Sequence, residues 1–295
     1  MSAPVTFEQP PLPPTLVRLE DSQSQRLRLF NPNPWRNPIE QCRTCSKENV
    51  PAGSEDGAGG IYRWYAGTSR DEADIVLYRC DCRAQFRLYQ WMAWAGIGLN
   101  YMRTDWFDAL DLRDTPAMTA ALDYAMNGPY HANAGNNLVL HSPQPGTGKT
   151  FLASLMAKRM LWMGLDVYMT TFTGMLDLYT ASWRQDDERR FFDERVRGAQ
   201  VLVVDDVGRE PPGRFSVAAP LFEAVLRMRL ADCKPTVVTT NLDDDDLNAY
   251  GQNTLSLLSE RKISVPVIGA DKRPLMTARA SREHELNLKR PIVIS

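Results

Sequence analysis

NLVLHSPQPGTGKTFLASLMAKRMLWMG, residues 137–164, is the stretch whose reading decides the fold. It opens with a short apolar run, NLVLHS (137–142), of the length of a buried strand. PQPGTGKT (143–150) follows. Then Leu152, Leu155, Met156, Met160 and Met163 recur at helical spacing, and Gly164 ends the run. A strand, a glycine-rich turn and an amphipathic helix, in that order, are the context a Walker A phosphate loop requires. Gly146 and Gly148 let the backbone wrap closely around phosphate oxygens. The N–H groups from Gly146 to Thr150 and the positive end of the helix stabilise negative charge. Pro145, Gly146, Thr147, Gly148, Lys149 and Thr150 are therefore the candidate nucleotide-binding residues. Lys149 is expected at the β- and γ-phosphates, and the Thr150 hydroxyl at Mg²⁺. Pro143 stands where the usual pattern has a glycine. It removes one donor, but upstream of the groups that hold phosphate, so binding is expected to survive.

Further apolar runs follow: LDVYMT (165–170), QVLVVDD (200–206), PTVVTTN (235–241) and ISVPVI (263–268), most of them separated by helical stretches. This alternation predicts an α/β fold, a parallel sheet sandwiched by helices. Ligands of such sheets sit at the carboxyl ends of the strands. VLVVDDVG (201–208) ends there in two acids. Asp205 is expected to hold the Mg²⁺ water shell and Asp206 to polarise the attacking water. Asp206 is one methylene shorter than the glutamate often found at this place, by about 1.5 Å. A misplacement of about 1 Å can cost ~100-fold in rate, so slow hydrolysis is expected unless the backbone compensates. Asn241, at the end of the next strand, can orient that water or touch the γ-phosphate; it can equally be a turn former. The acidic run Asp243 to Asp246 reads as favourable charge at a helix N-terminus.

The whole chain has 295 residues, which suggests about two domains. Thirty-four Lys and Arg against 36 Asp and Glu exclude a globally basic nucleic-acid binder, though not a local basic patch. No apolar run approaches the ~20 residues a membrane span needs. MSAPVTFEQPPLPP, at the N-terminus, has neither the charge nor the apolar core of a secretory signal, so a cytoplasmic location is expected. Residues 1–40 are proline-rich and read as a flexible tail. Cys42-x-x-Cys45 and Cys80-x-Cys82 flank a Gly-rich insert. Two close thiol pairs in a cytosolic chain suit a tetrahedral Zn²⁺ site, and the metal would supply folding energy that a small module lacks. Cys233 stands apart and reads as a core residue.

With these motifs in order, the chain resembles the DnaC/DnaI/IstB group of AAA+ ATPases, which includes bacterial and bacteriophage helicase loaders and transposition helpers. The resemblance runs from about residue 80 to 275. It takes in AGIGLNYMRTDWFDAL, PGTGKT, the spacer MLDLYTASWRQDDERRFFDERVRGA, VLVVDDVG, LFEAVLRMRLADCKPTVVTTN and LLSERKISVPVIGADKR. It implies a P-loop AAA+ (ASCE) domain over 101–275, preceded by a zinc-binding, partner-docking module over 41–100 and followed by a basic tail over 276–295. It implies an ATPase using ATP and Mg²⁺, a hexameric DnaB-like replicative helicase as partner, contact with single-stranded DNA, and self-association. Members carry a trans-acting arginine in a Ser-Arg-Leu sequence before the last strand, and here the matching stretch is Ser256-Leu257-Leu258. Arg261, one helical turn on, and Arg229, in LRMRLADCKP, are the two candidates.

Trp106 and Phe107 precede the ATPase core, where members bring apolar side chains near adenine; plain packing is the alternative. Lys158, Arg159, Arg184, Arg189 and Arg190 are candidates for DNA phosphates, as are Lys272, Arg273, Arg279, Arg282, Lys289 and Arg290 nearer the C-terminus. Three readings stand together: a helicase loader; a transposition helper on duplex DNA; and a non-catalytic adaptor or inhibitor, which Pro143, Asp206 and Leu257 motivate.

Overall fold

The computed structural model describes residues 60–64, 75–79, 81–285 and 292–293. The chain divides into two compact units, Met1–Cys82 and Arg83–Ser295. In the first, β1 (Gly60–Trp64) and β2 (Ile75–Arg79) form an antiparallel pair, with Gly60 opposite Arg79 and Trp64 opposite Ile75. α1 (Asp81–Trp94) follows.

The second unit continues through α2 (Leu99–Met102), a 3-10 segment (Trp106–Leu112), α3 (Pro116–Met126) and α4 (Gly128–Ala134). Next come β3 (Asn137–His141), α5 (Lys149–Trp162), β4 (Val167–Thr171), α6 (Phe172–Ala181) and α7 (Asp186–Phe192), which runs into a π-helical turn, Asp193–Arg197. Then follow β5 (Val201–Val207), α8 (Phe215–Ala231), β6 (Thr236–Thr240), α9 (Asp244–Leu247), α10 (Gln252–Ser259), β7 (Lys262–Pro266) and α11 (Arg273–Glu285). The expected strands are all present, each within two residues of its apolar run.

β3 to β7 form one parallel sheet in the order β4-β5-β6-β3-β7. The central strands are apolar on both faces because both are covered. Val201 and Val203 of β5 share a core with Leu152, Leu155 and Met156 of α5. Leu202 and Val204 point the other way by strand alternation, to the side where α6 packs on β4 and β5 and the Phe172 and Phe222 rings meet at 5.2 Å. The phosphate loop leaves β3, and its helix crosses to the β4 edge. β6 connects in the opposite direction, to β7. The crevice between β3 and β6 at their carboxyl ends is thus a topological switch point.

Local chemistry explains the boundaries. Thr115 accepts from the Met118 amide at 3.2 Å and Pro116 takes the first turn of α3. Asp243 accepts from the Asp246 amide at 2.7 Å, so the acidic run opens a helix as its charge suggests.

Three expectations are corrected. α5 is buried nearly all round rather than on one stripe, since α2, α3 and a C-terminal segment cover the face away from the sheet. Ile292 is 3% exposed within the core, the Val293 amide donates to the Met102 carbonyl at 3.0 Å, and Lys158 donates to the Val293 carbonyl at 3.3 Å and to that of Thr104. Lys158 is thereby withdrawn from any DNA surface. Cys233 is exposed, in a turn at φ 52°, and is no core residue. No described helix is long and apolar enough to cross a membrane.

Candidate active site

The loop after β3 is shaped by two glycines at φ 81° and 104°, Gly146 and Gly148, a region that disfavours any side chain. The segment before α11 closes over the loop: the Asp271 carboxylate lies beside Gly146, and the Lys272 amide donates to the Gly146 carbonyl at 3.0 Å. Lys149 opens α5 and is 5% exposed; its ammonium donates to the carbonyls of Gln144 at 3.1 Å and Ser142 at 3.3 Å. Burial pulls its pKa down, with Asp206 and Asp205 pulling the other way. A buried cation whose partners are only neutral carbonyls is well suited to meet a polyanion.

The two acids at the end of β5 face this loop. One hydroxyl organises both: Thr239 of β6 donates to Asp205 Oδ1 at 2.5 Å and accepts from the Asp206 amide at 3.0 Å. Asp205 is 5% exposed, and burial raises its pKa while the Thr239 bond lowers it. Asp206 has φ 58° at the place where the register of β5 and β6 shifts, between Val204 and Val207. Aspartate tolerates this left-handed conformation better than most residues, and the bulge re-aims its side chain. Arg209 lies 3.8 Å from Asp206 Oδ2.

These groups line one cleft of about 600 Å³, together with Pro145, Gly146, Gly148, Thr150 and Asn241. The Oδ1 atom of Asn241 is buried there with no hydrogen-bond partner among the described residues. The Thr150 hydroxyl and the Asp205 carboxylate are hard oxygen donors of the kind Mg²⁺ takes alongside phosphate oxygens and water, and so they fit that ion. Among the described residues there is no cluster of three or more His, Cys, Asp or Glu side chains that would form a metal site by protein ligands alone.

The cleft also contains residues that the motifs do not reveal: Tyr101, Asp108, Arg209, Lys272 and Arg273. Tyr101 reaches it from α2; burial, followed by Asp205 and Asp206, holds its phenol above the usual range. Lys272 pairs with Asp111 at 2.6 Å and Arg273 begins α11, so both belong to the cleft wall and not to a DNA-binding tail. The signal was present in Lys272-Arg273-Pro274, a basic pair with proline at a helix start. Trp106 packs on the core and Phe107 is 78% exposed; neither lines the cleft.

Arg229 is corrected outright. It is 1% exposed, and its guanidinium donates to the carbonyls of Val196, Arg197, Ala199, Gln200 and Pro235 and to Thr236 Oγ1. A fork so engaged ties α8 to the lead-ins of β5 and β6 and reaches no neighbouring subunit. Arg261 is exposed but not helical: α10 ends at Ser259 and Arg261 sits at φ 55°, so the one-turn spacing from Leu257 does not apply. Its side chain donates to the Ala134 carbonyl. Since Asn137 pairs with Lys262 at the start of β7, Arg261 lies at the opposite end of the sheet from its own phosphate loop. Cys42, Cys45 and Cys80, and the side chain of Cys82, lie outside the described residues.

The fold is similar to solved structures of a DnaC helicase loader (22% identity over 52% of this chain and 88% of that one, TM-score 0.44). It is also similar to DnaI (19% identity, 60% and 94%, TM-score 0.46). Domain III of the Thermotoga maritima replication initiation protein DnaA is a third likeness (16% identity, 59% and 72%, TM-score 0.46). No curated protein matches the chain. The sequence profile of the IstB-like ATP binding proteins matches residues 104–256, just over half of the chain and the span that holds the phosphate loop, both acids and Asn241. This chain belongs to the IstB-like ATP-binding family, on an α/β fold with a five-stranded parallel sheet.

Proposed function

We propose that this chain hydrolyses ATP in the cleft at the carboxyl ends of β3, β5 and β6, and uses the cycle to load a hexameric replicative helicase onto single-stranded DNA. One observation carries the chemical half: Lys149, Thr150, Asp205, Asp206, Asn241 and Arg273, from four separate segments, meet in one cleft. The amides of residues 146–150 and the Lys149 ammonium hold the β- and γ-phosphates. Thr150 and Asp205 hold Mg²⁺, which when bound neutralises charge on the phosphate oxygens. Asp206 polarises the attacking water and takes its proton, Asn241 orients that water, and Arg273 faces the polyphosphate from α11. Arg261, on a second copy of the chain, is the arginine we assign to act in trans.

The loader half rests on the sequence resemblance. Arg184, Arg189 and Trp183, which is 64% exposed, line a second cleft of about 490 Å³, and we assign single-stranded DNA to that surface. Cys42, Cys45, Cys80 and Cys82 are assigned to Zn²⁺ in a module that docks on the helicase. About one zinc per purified chain tests this.

The catalytic test is steady-state ATP turnover by the full chain and by Lys149→Ala. Turnover lost in the variant supports the reading; no turnover by the unaltered chain, with or without DNA, overturns it. A pull-down from host lysate with ATP or ADP tests the partner. A replicative helicase supports loading. A transposase favours the second reading, a transposition helper on duplex DNA, which the family match itself motivates.

A further inference from the structure

Among the described residues, Lys149, Arg209, Lys272 and Arg273 are the cations that line the cleft. The reading above gives tasks to Lys149 and Arg273, and Lys272 pairs with Asp111. Arg209 is left without one. It lies just past the end of β5, on a turn that the motifs do not mark.

The backbone explains its position. Asp206 and Gly208 both have positive φ, 58° and 95°, and the turn they make sets Arg209 beside Asp206. The turn is fastened on both sides. The Asp206 amide donates to Thr239 Oγ1 at 3.0 Å, and Tyr250, 4% exposed, donates its hydroxyl to the Glu210 carboxylate. The side chain of Arg209, by contrast, is half exposed. Its one charged partner among the described residues is Asp206, at 3.8 Å. That distance is too long for a hydrogen bond, and so exposed a pair is weakly held. A loose guanidinium thus stands on a fixed base.

Its neighbour decides what it can meet. Asp206 is assigned to the water that attacks the γ-phosphorus, so a group beside Asp206 stands beside the γ-phosphate as well. A phosphate offers a guanidinium two parallel charge-assisted hydrogen bonds, and the contact with Asp206 supplies none. Rotation of the side chain alone exchanges the weaker partner for the stronger. Lys149 and the amides of residues 146–150 hold the β-phosphate too, and so serve a diphosphate and a triphosphate alike.

We propose that Arg209 is the residue by which the cleft distinguishes a triphosphate from a diphosphate: its guanidinium turns from Asp206 to the γ-phosphate, and a diphosphate gives it nothing to turn to. The proposal rests on the reading of the cleft as a nucleotide site.

The test is equilibrium binding of two fluorescent nucleotides, a non-hydrolysable ATP analogue and ADP, to the full chain at one Mg²⁺ concentration. Arg209→Gln removes the charge and keeps a polar side chain of similar reach. Its melting temperature without nucleotide, and its affinity for ADP within about two-fold, are expected to match those of the unaltered chain, since the exposed pair contributes little. Its affinity for the ATP analogue is expected to fall about 10-fold or more, the worth of a hydrogen bond to a charged group. Arg209→Lys keeps the charge without the fork and is expected to lose less. An unchanged ratio of the two affinities in Arg209→Gln, whether both fall together or neither does, overturns the proposal and leaves the nucleotide site standing. A larger loss of ratio in the lysine variant than in the glutamine variant also overturns it. Failure of the unaltered chain to take up either nucleotide overturns the site reading and this proposal with it.

Discussion

The Thr239 hydroxyl, on β6, donates a 2.5 Å hydrogen bond to Asp205 on β5 while accepting the amide of Asp206. Both acids are thus held by the neighbouring strand. Thr239→Val keeps the shape and removes both partners, leaving a buried carboxylate one donor short. A hydrogen bond to a charged group contributes about 1.5–3 kcal/mol. Urea denaturation should show a loss of about that size, and ATP turnover should fall about 10-fold or more. Unchanged turnover would show that the bond does not orient the acid.

Asp206→Asn is the cleaner test of the water-polarising role. Asparagine also tolerates φ near 58°, so the bulge should persist. Nucleotide binding is expected to stay within about two-fold while turnover drops at least ~100-fold, the lower end of what a positioned general base supplies. Residual turnover near that of the unaltered chain points to another base.

Arg229→Ala should fail by unfolding, not by lost catalysis. It strands five carbonyls that now share one guanidinium. Removing such a buried charged partner costs about 3–5 kcal/mol. A variant that melts normally but hydrolyses slowly would restore Arg229 as a finger.

Lys158 ties the C-terminal segment to the core, and burial pulls its pKa down to about 8, against small opposing pulls from Asp105 and Asp108. The unfolded chain keeps an ordinary lysine near 10.4. Below pH 8 both states bind the proton, and burying the charge opposes folding. Between pH 8 and about 10.4 the unfolded state binds more protons, so the contribution of this group to stability rises with pH. The gap between the unaltered chain and Lys158→Met, from urea curves, should move in favour of the unaltered chain across that window by up to about 3 kcal/mol. A flat difference, or one of opposite slope, counts against the burial of this ammonium.

Ile292, 3% exposed, is the apolar half of the same attachment. Ile292→Ala should cost about 2–4 kcal/mol, the range for emptying a packed aliphatic site. A change under 0.5 kcal/mol in urea denaturation would show that the segment is not docked in solution.

The sequence by itself determined the sheet and the phosphate loop. Those features are local: strand and helix periodicity, two glycines, a lysine and a threonine at fixed spacing, and acids at a strand end. A chain with these runs has few ways to bury them other than a covered parallel sheet. Only the tertiary structure decided the fates of the long cations. Arg229, Lys158 and Arg273 all read as exposed positive charge, yet one clamps carbonyls, one anchors a terminus and one faces the nucleotide cleft. Their partners lie in other segments, in the case of Lys158 and Val293 135 residues apart, and no short-range pattern records such a meeting.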